Sequence, residues 1–162
     1  VLINSIRPAT TVKNLILDPD SGKVVAFLVN INRKEIISPI DVQVWHEIIK
    51  VGGQEDIIAV DDVVRVKEII QSGRYFEKAK VYTKKGEYLG RVLDFAVNTK
   101  SYCLESIYVA KTFLGLLKYE SRIIQYKDIV EVKEAKVVVK TSLRTVKKEN
   151  PQPMKLEDAI AS

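Results

Sequence analysis

The chain has 162 residues, 46% of them hydrophobic and 29% charged, with a formal net charge of +5 and a pI near 9.2, a balance that excludes a disordered polypeptide. No apolar run approaches the roughly 18 to 20 residues of a membrane-crossing helix, so no transmembrane segment is expected. A single cysteine, Cys103, and a single histidine, His46, leave no internal disulfide and no His/Cys metal cluster; with no secretory signal in view, a cytoplasmic protein is expected.

Val, Ile, Tyr and Thr recur in short runs broken by turn formers, which predicts a mainly β protein. Leu15-Ile16-Leu17 and Val24-Val25-Ala26-Phe27-Leu28-Val29 flank Asp18-Pro19-Asp20-Ser21-Gly22-Lys23. This is a hairpin whose turn chemistry is supplied, since Pro presets φ and Gly22 tolerates positive φ. Further on, Ile36-Ile37-Ser38-Pro39-Ile40-Asp41-Val42 leads to a second β-branched run at residues 48–51. Residues 61–72 change period: Val63, Val66, Ile69 and Ile70 fall at helical spacing, with Asp61 at the start and Gly73 just past the end.

The second half repeats the grammar. Lys80-Val81-Tyr82-Thr83 and Tyr88-Leu89-Gly90-Arg91-Val92-Leu93-Asp94-Phe95 flank a turn at Gly86, the counterpart of Gly22. Ile123-Ile124-Gln125-Tyr126-Lys127-Asp128-Ile129 then matches residues 36–42 and pairs Asp128 with Asp41. A rival register sets residues 57–68 against 123–134 with more identities; we prefer the first because residues 61–72 read as a helix. The expected organisation is a first repeat at 1–60, a helical linker at 61–77, a second repeat at 78–140, and a flexible basic tail at 141–162 with a short helical turn after Pro153.

The ordered set Val81, Thr83, Gly86, Leu89, Gly90, Val92 and Asp94, followed by Leu104-Glu105-Ser106-Ile107-Tyr108-Val109, by Ile123-Ile124 with Asp128-Ile129-Val130, and by Val137-Val138-Val139, resembles the PRC-barrel family. That family includes the cytoplasmic domain of the H subunit of purple-bacterial photosynthetic reaction centres and the C-terminal domain of a small-ribosomal-subunit maturation factor. The resemblance implies compact antiparallel β-barrels used for docking, without a catalytic centre. Two such barrels in tandem, joined by a short helix, are the expected fold. The first copy departs from the pattern, with Ala26 where the second has Gly90 and Asn30 where it has Asp94.

Candidate chemistry is sparse. His46 reads as a surface or loop residue beside Trp45, and Cys103 as a buried, inert thiol. Val51-Gly52-Gly53-Gln54 lacks the Gly-Lys-Ser/Thr of a phosphate loop. Asp18, Asp20, Asp61 and Asp62 sit where carboxylates serve turns and helix starts. No catalytic residue, metal or cofactor is expected; Gly22, Gly86, Gly90, Asp94, Asp41 and Asp128 are read as turn or barrel residues.

Two surfaces remain. Phe113, Leu114, Leu116 and Leu117 form an apolar stretch that either caps the second barrel or docks a partner. Lys84, Lys85, Arg144, Lys147 and Lys148 are the basic residues best placed to contact RNA, with Tyr82 and Tyr88 near the first two. The expected function is a non-enzymatic binding or scaffolding protein that docks a protein partner, with a barrel edge available for pairing with a second copy. The alternative is a ribosome-associated or rRNA-processing factor acting through the basic second barrel and tail.

Overall fold

The computed structural model describes residues 1–3, 10–113 and 117–141, the side chains of residues 2, 3, 112, 113 and 117–119 excepted. Strands β1 (Leu2–Ile3), β2 (Asn14–Leu17), β3 (Val24–Asn30), β4 (Glu35–Ile37), β5 (Val42–Trp45), β6 (Ile49–Val51) and β7 (Ile57–Ala59) precede helix α1 (Val64–Ser72). Strands β8 (Lys80–Thr83), β9 (Tyr88–Asn98), β10 (Cys103–Phe113), β11 (Leu117–Gln125), β12 (Ile129–Lys133) and β13 (Lys136–Val139) follow it.

The alternation that marks these strands in the sequence is the alternation of their burial. Val81 and Thr83 of β8, and Val137 and Val139 of β13, point inward, while Lys80 and Lys136 face solvent. Gly22, at φ 68°, closes the β2–β3 turn, where its N–H donates to the Asp18 carbonyl at 2.8 Å. Gly73, at φ 65°, ends α1 in the left-handed conformation that a helix stop favours. Asp61 does not open the helix: residues Val60–Asp62 form a 3-10 turn and α1 begins at Val64.

The strands form three open sheets in the orders β1-β6-β5, β2-β3-β4-β7 and β11-β10-β9-β8-β13-β12. The expectation of closed tandem barrels is therefore corrected to a mainly β fold whose sheets do not close. One physical reason lies in strand length. In the first half β4, paired with β3 and β7, has three residues, too few to wrap around a barrel, whereas β10 and β11 of the second half run for 11 and nine.

Nor do the halves stand apart. Lys23 bridges Cys103, the Val24 N–H donates to the Tyr102 carbonyl and the Leu104 N–H to the Gly22 carbonyl, both at 2.8 Å. Val24, Phe27, Val29 and Ile37 pack in one cluster with Val81, Leu104, Ile107, Ile124 and Val137. Across the β3 sheet, Ala26 and Ile36 pack against Val66 of α1 and against Val60 of the 3-10 turn that precedes it. The helix thus covers one face of the first-half sheet while the second half covers the other; it is a packing element as well as a connection.

Phe27 is fully buried and stands edge-on to Trp45 at 4.8 Å, with Tyr102 5.0 Å from Trp45. Truncation there removes contacts in both halves, so Phe27→Ala is expected to cost about 3–5 kcal/mol. Calorimetry of the wild type should show one transition in place of two, and the variant should lower it as a unit.

Candidate functional site

The glycines and aspartates singled out in the sequence lie at bends. Gly86, at φ 87°, closes the β8–β9 turn. Gly90, at φ 126°, sits at a bulge where any β-carbon would lie 2.3 Å from the Ala110 carbonyl oxygen, so β10 can pass only against glycine. Asp41 and Asp128 each end a 3-10 turn, and Asp94 accepts the Phe95 N–H at 2.8 Å. His46 is exposed in the β5–β6 turn. Cys103 is half-buried, not buried, because it begins β10 at the seam between the sheets and donates to the Ser101 carbonyl.

Of the docking stretch, Phe113 ends β10 and Leu117 begins β11 with side chains outside the described residues, and Leu114 and Leu116 lie outside them entirely. Arg144, Lys147, Lys148 and the remainder of the tail likewise lie outside them. Lys84 and Lys85 are exposed in the β8–β9 turn. Lys78, at φ 58°, precedes β8 in left-handed backbone, so it does not continue the alternation of Lys80.

An ionic network spans the seam. Arg65 of α1 donates to Asp18 at 2.9 Å and to Asp20 at 3.1 Å. Arg74 pairs with Asp20 and donates from Nε to the Val132 carbonyl at 2.9 Å. Tyr126 donates its hydroxyl to the Asp20 carbonyl, and its ring lies so close to Gly22 that a β-carbon there would come within 2.6 Å of it. The Arg74 hydrogen bond is the main cause that holds the Asp20 carboxyl below its ordinary 3.8. Burial alone would raise Asp18, but hydrogen bonds from Arg65 and the Asp20 N–H outweigh it and hold Asp18 low as well. Burial raises the Tyr126 phenol. These carboxylates and guanidinia neutralise one another across the joint, and none of them is left poised near neutral pH to exchange a proton.

A groove of about 310 Å³ opens beside this seam. Leu15, Ile16 and Leu28 line it from β2 and β3, Ile69 and Ile70 from α1, and Tyr75, Phe76 and Phe95 from the second half. Its rim leaves Ile31 65% exposed, Tyr75 47% and Ile70 42%. Asn14 bonds Glu77 on the β2 side, and Lys34 stands at the β3–β4 turn on the other. Past Phe95 the depression continues to Leu93 and Asp94. Sequence inspection missed this surface because its walls are far apart in the chain; the one local signal was Ile70 beside Ile69, one apolar residue more than a single buried helix face needs.

Among the described residues no cluster of three His, Cys, Asp or Glu side chains could hold a metal ion, and no helix is long and apolar enough to cross a membrane.

Comparison with known families finds a PRC-barrel domain at residues 72–144. Domains of this family mediate protein interactions and are generally non-catalytic. The match is to one domain, and residues 1–71 fall outside it, so the comparison does not support a tandem arrangement. No curated protein matches the chain. The groove is therefore built jointly, with Tyr75, Phe76, Glu77 and Phe95 from the matched domain and the rest from the preceding half.

Since Asp20 is depressed in the folded state, its pairing contributes stability that is fully present above 3.8 and is lost as pH falls through the lowered value. Asp20→Asn should lower the melting temperature at pH 7 and flatten its decline below pH 4. Thermal melts of both proteins from pH 2.5 to 7 check this.

Proposed function

We propose that the protein is a non-enzymatic docking module that receives an amphipathic helix of a protein partner in the groove between β2, β3, α1 and Phe95. The observation that carries this reading is the apolar floor with Ile31, Ile70 and Tyr75 left exposed around it. A short helix with apolar side chains at i, i+3/i+4 and i+7 would cover such a floor. With Glu77 on one side and Lys34 on the other, the fitting partner presents a base toward Glu77 and an acid toward Lys34.

The same reading takes the N-terminal half as a divergent copy of the matched domain. Its support is topological: β1 pairs in parallel with β6 as β8 does with β13. Hairpins β5–β6 and β12–β13 each follow a 3-10 turn ending in Asp41 or Asp128. What differs is that the first copy has lent one sheet face to α1.

Ile70 is exposed enough for Ile70→Asp to leave the fold intact. The partner recovered on the wild-type chain from its native cell should, once purified, bind Ile70→Asp at least tenfold more weakly by calorimetric titration. Unchanged affinity for Ile70→Asp and Ile31→Asp would remove the groove from the reading.

A further inference from the structure

The outer face of the six-stranded sheet carries a row of cations in cross-strand register. Lys133 of β12 is the partner of Lys136 on β13, Lys136 of Lys80 on β8, and Lys80 of Arg91 on β9. Register partners project to the same side of a sheet, and all four residues are exposed. Three inter-strand spacings make the row about 14 Å long. Glu131 neutralises Lys133 at 3.1 Å, but Lys80 and Lys136 make no ion pair with a described residue. Like charges set directly opposite one another weaken a sheet. This face therefore spends stability on holding positive charge in line.

Two residues further along the strands the same face turns aromatic. Tyr82 is the register partner of Tyr88, their rings 5.3 Å apart, and the Lys136 ammonium lies 4.7 Å from the Tyr82 centroid. The bulge at Gly90 produces this: with Leu89 and Gly90 both buried, Tyr88 and Arg91 emerge on the outer side together. Beyond Tyr82 the chain turns through exposed Lys84 and Lys85. A band of tyrosines thus lies between two bands of cations.

We propose that this face binds single-stranded nucleic acid, with phosphates on Lys80, Lys136 and Arg91 and bases stacked against Tyr88 and Tyr82. The cations alone would suit any polyanion; the rings between them favour a ligand that alternates charge with flat aromatic groups. The surface is separate from the groove, so its test is independent of protein docking.

The test is fluorescence anisotropy of the full chain with a labelled 12-nucleotide RNA of mixed sequence, titrated at several salt concentrations. Three phosphate contacts give a slope of log K against log salt of about −2, from about −0.7 per contact on a single strand. Lys80→Glu with Lys136→Glu should weaken binding more than tenfold and flatten that slope. Tyr88→Ala should weaken it at least fivefold and leave the slope as it was. Lys80→Glu alone replaces two repulsive register pairs, with Lys136 and Arg91, by attractive ones; its melting temperature should rise even as its own binding falls at least threefold, which separates lost function from lost folding. Binding indifferent to these substitutions would overturn the proposal. So would a polyglutamate of equal charge that competes on equal terms, which would mark the face as one for acidic proteins.

Discussion

The close approach of Tyr126 to Gly22 is the constraint on which the rest of the molecule depends. A ring resting where a side chain would otherwise begin lets the β2–β3 turn lie flat against the second half. From that position the Gly22 carbonyl and the Val24 N–H reach Leu104 and Tyr102, so β3 is stitched to the start of β10. Backbone bonds of this kind are modest one by one but fix geometry. They bring Phe27, Trp45 and Tyr102 within ring contact and place the Asp18–Asp20 turn under Arg65 and Arg74. The groove follows in turn, because its walls meet only when the two halves are held at this seam.

Local features were readable in the sequence and non-local ones were not, for a physical reason. The hairpins at residues 14–30 and 80–98 follow from turn chemistry and alternation within one short window. Helix α1 follows from a period of 3.6 and from Gly73. The ambiguity of repeat register also has a local origin. The pattern Ile-Ile-x-x-x-Asp occurs at residues 36–41, 57–62 and 123–128, and each time it folds as a strand running into a 3-10 turn. The rival alignment was thus matching a genuine local unit, and choosing one register over the other could not reveal that both are strands.

What the sequence hid depends on pairing between distant segments. The cation row requires β13 to lie parallel to β8 in one register, and nothing in either strand announces that neighbour. The joint requires Gly22 and Tyr126 to meet from opposite ends of the chain. Even Gly90, legible as a bend, gave no sign of its second effect, which is to return Tyr88 to the face that bears Tyr82. A similar limit applies to domain organisation: two repeats of one grammar suggested two independent modules, whereas the apolar faces of both were composed to be buried against each other.

That mutual burial has a consequence during synthesis. The first half emerges from the ribosome with Val24, Phe27 and Ile37 ready for a cover that does not yet exist, since Leu104 and Ile107 are still to be made. At about 5–20 residues per second the wait lasts several seconds. For that interval the nascent chain presents an apolar β-sheet face to the cell, a form that a chaperone would recognise and that a stalled or truncated translation product would keep.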